Sequence, residues 1–279
     1  MAKPVAGALE RRFGRLRGST AVYFCFAWLM GAEQGLGQAL GETRDAVLPP
    51  LSPSCDVPPA DLAAPEPLPN VAVKLPHEKT VRILAIGSSA SSNIGATPGI
   101  KTYSMQLEAL LETALKDIDI QIINRGLPGE VAATAAERLK SEVVTEKPDL
   151  VLWQVGMNDA LSRVDPDDFE QTVRSTISWL QDNHIDVVLV GMQYAPRFVK
   201  DAAFLEIRER MRKIAATSNI LYVRRYDAMQ FIARTRANQP QMMRDEFHLN
   251  DLGYQCMAEH VARAVIASLY LKKVRPGSN

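Results

Sequence analysis

Five short apolar runs, each separated from the next by a helix-length segment, restrict this chain to one kind of architecture. They cover residues 81–86, 118–123, 150–155, 185–190 and 220–223. Nearly continuous apolar runs of this length, bounded by turn residues, suit strands buried on both faces. In the segments between them, apolar residues recur every three or four positions. Leu107, Leu110, Leu111 and Leu115 do so in 103–115, and Phe169, Val173, Ile177 and Leu180 in 167–183. Segments 132–143, 202–216 and 251–271 complete the set. The longest internal helix opens with Asp165-Pro166-Asp167-Asp168, an acidic start with proline in the first turn. Alternating strand and helix predicts a doubly wound α/β fold: a three-layer α/β/α sandwich around a five-stranded parallel sheet. In such sheets ligands bind beyond the C-terminal ends of the strands.

The 279 residues are 47% hydrophobic and 23% charged, enough for a single core of about 200 residues. Thirty-two basic residues balance thirty-two acidic ones. That balance argues against a nucleic-acid surface. The sequence has no phosphate-binding loop of the Walker type, no HExxH and no CxxC.

The ends of the chain read differently. Arg11, Arg12, Arg15 and Arg17 precede an uncharged apolar stretch, 18–32, and small residues then recur up to Gly41. This order is that of a secretory signal. The stretch is short against the roughly 20 residues of a membrane span. Residues 1–41 are therefore expected to be a cleaved export signal, to the periplasm or beyond; an uncleaved anchor is the alternative. Residues 42–79 are rich in proline (Pro49, Pro50, Pro53, Pro58, Pro59, Pro65, Pro67, Pro69, Pro76) and show no apolar period. They predict an extended, disordered linker, with the folded domain at 80–279. Of the three cysteines, Cys25 lies in the signal. Cys55 falls in the linker and Cys256 on a helix, which predicts two unpaired thiols rather than a disulfide.

Candidate chemistry gathers at the strand ends. Gly87-Ser88-Ser89 follows the first run, Asn124-Arg125-Gly126-Leu127-Pro128-Gly129 the second, and Gly156-Met157-Asn158-Asp159 the third. Asp245-Glu246-Phe247-His248 precedes the last helix. An acid and a histidine three residues apart can pair within one turn, the acid orienting the imidazole. Acyl transfer needs a nucleophile, a base with an orienting group, and oxyanion donors. Ser89, His248 with Asp245, and the Gly129 N–H with the Asn158 amide supply those roles. Each residue alone has a plainer reading. Ser89 and Asp245 are good helix caps, and His248 can be a buried or capping histidine. Asn158-Asp159 is a turn pair, and Gly129 suits positive φ. Their joint occurrence at strand ends is what points to chemistry.

These four blocks resemble those of the SGNH (GDSL-type) hydrolases, whose fold is flavodoxin-like. The block-I serine matches Ser89, the block-II glycine Gly129, the block-III Gly-x-Asn-Asp Gly156 to Asp159, and the block-V Asp-x-x-His Asp245 to His248. The similarity covers about residues 80–272. The family's aspartate before the serine is replaced by Ser88. The resemblance implies a cofactor-free serine esterase acting on short-chain acyl or O-acetyl esters through an acyl-enzyme. Ser89 N–H, Gly129 N–H and the Asn158 amide would hold the oxyanion.

Small-molecule or glycan esters are the expected partners. An O-acyltransferase using the same site and a silent binding module on the same fold are the rival readings. A metal site built on Asp245 and His248 is disfavoured, because the other histidines (His77, His184, His260) stand in unrelated contexts. Residues 192–200 follow the fourth run and should line the rim. Phe247, Met157 and Met242 would add an apolar acyl pocket, unless the methionines pack the core.

Overall fold

The computed structural model describes residues 48–236 and 241–271; the expected signal and the first residues of the proline-rich segment lie outside them. Strands β2 (Thr80–Gly87), β3 (Asp119–Gly126), β4 (Leu150–Gln154), β5 (Asp186–Val190) and β6 (Leu221–Val223) stand where the five apolar runs stand. All their pairings are parallel. A sixth strand, β1 (Ala63–Ala64), pairs antiparallel with β6, so the sheet reads β1-β6-β5-β4-β2-β3. The expected count of five is thus one short. A two-residue edge strand carries too little pattern to be read in advance.

Side chains alternate across this sheet, and each face has its own core. Ile83, Ala85, Leu152 and Val188 face α3 (Tyr103–Ala114), α8 (Arg225–Thr235) and α9 (Asp251–Leu269). Leu84, Ile86, Trp153 and Leu189 face α4 (Ala132–Glu146), α6 (Pro166–Asp182) and α7 (Ala202–Ser218). Burial of each Leu, Ile or Val contributes about 1.5–3 kcal/mol. The result is the three-layer sandwich. Asp165 caps α6 by accepting the N–H groups of Asp167 and Asp168, ahead of Pro166. Asp201 and Asn250 cap α7 and α9 in the same way.

The proline-rich segment corrects two expectations. Residues 48–79 are part of the same compact unit as the sheet, not a disordered linker. They form α1 (Pro59–Leu62), β1 and α2 (Pro69–Lys74), and they bury Cys55, Val57, Leu62, Leu68 and Val71. Both short helices begin at a proline, whose fixed φ and missing N–H suit the first turn. Elements of four and six residues are too short to show an apolar period. The segment's backbone is satisfied by distant side chains instead. Arg263 donates to Pro49 O, Glu259 accepts from Ser52 N–H, Arg236 donates to Ser54 O and Asp56 O, and His260 Nε2 donates to Cys55 O at 2.6 Å. Cys55 and Cys256 are joined in a disulfide, with Cα atoms 4.9 Å apart. The reading of two free thiols was wrong because it took Cys55 to sit in mobile chain.

The strand order reverses direction at β2. From there the chain runs outward to β3, then returns to β4 on the other side. The crevice beyond β2 and β4 is the switch point at which such sheets bind ligands.

Candidate active site

Ser89 lies two residues beyond β2 at that switch point. Gly87 O accepts the Leu127 N–H at 2.8 Å, which extends the β2–β3 pairing and lays Leu127-Pro128-Gly129 beside the serine loop. The loop is folded on itself by Ser92 N–H to Ser88 O and Ile94 N–H to Ser89 O. Asn124 donates its amide to Ser91 O at 2.7 Å while its Oδ1 accepts the Gly126 N–H. Ser91 Oγ donates to Gln154 Oε1 at 3.2 Å, tying the loop to the end of β4. Of the two adjacent serines, Ser88 is 7% exposed and Ser89 is half-buried, so Ser89 is the one solvent reaches.

Asp245 and His248 are brought together. Asp245 Oδ1 accepts the N–H groups of Phe247 and His248, at 2.7 and 2.6 Å. Its Oδ2 stands 2.9 Å from His248 Nδ1. Three N–H groups on one carboxylate favour its charged form. They hold Asp245 well below the usual carboxylate range, the His248 N–H contributing most, then the imidazole, then the Phe247 N–H. The pairing fixes the ring with Nδ1 toward the acid and leaves Nε2 as the nitrogen for a substrate or nucleophile. Arg244 N–H to His248 O, at 2.8 Å, closes the loop.

Gly95 joins the serine loop to the histidine loop. It has φ +102°, and a Cβ there would lie 2.3 Å from Leu249 O and 3.2 Å from His248 Cβ. Only a residue without a side chain allows this approach. Tyr254 donates to Ile94 O, and Thr97 donates its N–H and hydroxyl to Asp251, which clamp the same two segments together. Among the described residues no hydrogen bond links Ser89 to His248. Such contacts tighten in substrate complexes.

Asn158 and Gly129 also converge. Asn158 sits on the short helix α5 (Met157–Leu161) and donates one amide hydrogen to Glu130 O at 2.8 Å. Gly129 has φ +81°, with open space where a Cβ would be. Asp159, 1% exposed, accepts the Ala132 and Gly156 N–H groups and so joins the starts of α4 and α5. Burial, opposed by these hydrogen bonds, raises its pKa.

The 192–200 connection does reach the site. Gln193 donates to Phe247 O at 2.9 Å, and Phe198 meets Phe247 edge-on with centroids 6.2 Å apart. Met157, Met192 and Met242 are buried in the core, as the plainer reading of the methionines had it. The sequence marked Asn124 only as part of the second block, and gave Ser91, Gln154 and Gly95 no role of their own. The signal present was the polar spacing around the glycines of the first two blocks. Among the described residues no cluster of three or more His, Cys, Asp or Glu is suited to hold an ion.

Comparison with known proteins places the chain among the SGNH hydrolases. Within that class it belongs to the non-GDSL lipase-like family, whose family model matches residues 54–270. The match starts in the proline-rich segment, one residue before Cys55. The chain is similar to Esterase TesA of Pseudomonas aeruginosa, 29% identical over 124 residues, covering 42% of this chain and 59% of TesA. It therefore spans less than two thirds of that relative's length. An arylesterase of Vibrio mimicus is 25% identical over 191 residues, covering 67% of this chain and 90% of that protein. An acetyl xylan esterase structure from Geobacillus stearothermophilus superposes with a TM-score of 0.55 at 21% identity, covering 70% of this chain and 97% of that one; the likeness is one of fold.

Proposed function

We propose that this chain is an exported serine esterase that cleaves short-chain acyl or O-acetyl esters through an acyl-enzyme. The observation that carries the reading is the Asp245–His248 pair, joined through Gly95 to the loop of a solvent-accessible serine at the switch point. In the first step His248 Nε2 takes the Ser89 proton, and Oγ attacks the ester carbonyl. The negative charge on the carbonyl oxygen is received by the N–H groups of Ser89 and Gly129 and by the Asn158 amide. An amide carries two donor hydrogens. One is committed to Glu130 O and sets the orientation, and the second is left for the oxyanion. The tetrahedral adduct collapses as His248 hands its proton to the leaving alcohol. Water, activated by His248, then attacks the acyl-enzyme; its proton returns to Ser89 and the acid leaves. Asp245 stays charged and stabilises the imidazolium.

Ser88 in place of the family's aspartate does not remove a triad member, since the acid of the triad reading is Asp245. Export is supported by the disulfide, because such bonds persist in oxidising compartments. The similar proteins, an esterase, an arylesterase and an acetyl xylan esterase, agree on ester hydrolysis.

The test is hydrolysis of p-nitrophenyl acetate and butyrate by residues 42–279, beside Ser89→Ala and Ser88→Ala. Activity lost with Ser89→Ala and kept with Ser88→Ala supports the reading. Activity that survives Ser89→Ala refutes it. Acetyl transfer to an added alcohol without net hydrolysis would instead favour the acyltransferase.

A further inference from the structure

Arg197 is set in an aromatic cradle beside the candidate base. It lies in the 3-10 turn Pro196–Phe198 that follows β5. Its guanidinium carbon stands 4.5 Å from the Phe198 ring centroid and 5.2 Å from that of Phe247. The cradle is anchored below: Phe198 stacks on Phe204, which is 1% exposed, and Gln193 holds the Phe247 backbone. A guanidinium packed against aromatic rings can keep its N–H groups for other acceptors. The exposed side chain makes no hydrogen bond or ion pair among the described residues. Arg138, Arg163, Arg174 and Arg210 are each paired with a carboxylate. Asp201, the acid of the same connection, is taken by both terminal nitrogens of Arg163. Glu246, next to Phe247, makes no pair with Arg197.

One ring separates this cation from the imidazole. The centroids of Phe247 and His248 are 4.9 Å apart. In an acyl transfer the base must give its proton to the leaving oxygen, so the alcohol half of the ester lies against His248. An alcohol half that ran over Phe247 from there would reach Arg197.

We infer that Arg197 recognises an anionic group on the alcohol half of the substrate, so that the preferred esters of this site are acyl esters of hydroxy acids. The inference deepens the esterase reading and rests on it for the direction of the alcohol. Planar N–H pairs on a positioned guanidinium match a carboxylate in two-point fashion.

The test compares 4-acetoxybenzoate with its neutral isostere 4-acetoxybenzamide, and both with phenyl hemisuccinate, where the carboxylate is on the acyl half. The full chain should favour 4-acetoxybenzoate over the amide by about tenfold in kcat/KM, a size suited to hydrogen bonds with a charged group. The preference should lie in KM. Arg197→Ala should abolish it, lowering kcat/KM for the acid about tenfold more than for the amide; Arg197→Lys should keep part of it, and 0.5 M salt should weaken it. Calorimetric binding of 4-hydroxybenzoate against 4-hydroxybenzamide provides a readout independent of turnover. If no ester is hydrolysed, the esterase reading fails, and the acid-against-amide binding preference still decides the role of Arg197. Equal binding of acid and amide overturns the proposal. So does an Arg197→Ala effect of the same size on both esters, which would mark a packing role. A preference for phenyl hemisuccinate overturns the assignment to the alcohol half.

Discussion

At the C-terminal end of the sheet, the Asp245 side chain is 54% exposed and accepts three N–H groups, two from its own loop backbone and one from His248. At the N-terminal end, Asp186 is 5% exposed and accepts Val71 N–H and the Asn70 amide, both at 2.9 Å. Beside it, Asp149 receives Arg82 N–H and the Lys74 ammonium. Both ends present carboxylates in full hydrogen-bond settings, yet their electrostatics run opposite ways. Hydrogen bonds dominate at Asp245 and push its pKa down, whereas burial dominates at Asp186 and pushes it up. The N-terminal end also holds a cavity of about 850 Å³, lined in part by Leu68, Asn70, His184 and Asp186. Concavity and carboxylates do not make a site by themselves. At the N-terminal end the donors come from the segment 69–82, and the acids act as a clasp for it. At the C-terminal end the acid holds a histidine by Nδ1 and leaves its second nitrogen uncommitted among the described residues.

Substitutions should separate the two ends. The largest expected effect is His248→Ala, which should lower kcat/KM for p-nitrophenyl acetate by at least about 10⁴-fold; the thermal midpoint should hardly move. A loss below tenfold would remove His248 from the mechanism. Asn158→Ala should lower kcat by about 10²–10³-fold with KM little changed. A rise in KM at constant kcat would instead make Asn158 a ground-state binder.

At the other end the signature is reversed. Asp186→Ala should destabilise by about 2–3 kcal/mol, since it strands a buried N–H, while kcat stays the same. Cys256→Ala should lose about 2–5 kcal/mol through the 201-residue loop that the disulfide closes, also with kcat preserved. Denaturant melts beside initial rates check both variants. Loss of turnover in proportion to stability at 25 °C would show that the clasp and the site are coupled.

The smallest effect is the sign of two titrations. Asp245 should titrate below, and Asp186 above, the ordinary value of 3.8. With a depressed folded pKa, the contribution of Asp245 is present above 3.8 and is lost as pH falls through its folded value. With a raised one, the contribution of Asp186 is full below 3.8 and declines as pH rises through its folded value. Carboxyl ¹³C titration reads both directly. Titration of both acids on the same side of 3.8 would erase the contrast between the ends.

The five parallel strands and the helices between them were legible in the chain because each is a long enough apolar pattern to declare its period. The pairing of Asp245 with His248 was legible too, since it is local: three residues of sequence and one turn of backbone. The convergence of Ser89, Gly129 and Asn158 was an expectation derived from topology. Nothing in the spacing could show the contacts that bring their loops side by side, such as Leu127 N–H to Gly87 O or Asn158 to Glu130 O.

The proline-rich segment was misread for the same reason in reverse. Its order comes from Glu259, His260, Arg236 and Arg263, which are 180 or more residues away in sequence, and from Cys256. Arg197 shows the same division. Sequence put it in the connection after a strand, and the packing of Phe198 and Phe247 placed its cation one ring from His248. Periodicity and local spacing are short-range properties, so the sequence by itself determined the α/β layers, the strand ends and the acid–histidine pair. Contacts between remote segments depend on the whole packed sheet. The tertiary structure therefore decided the disulfide, the clasp of residues 48–79 and the cation beside the site.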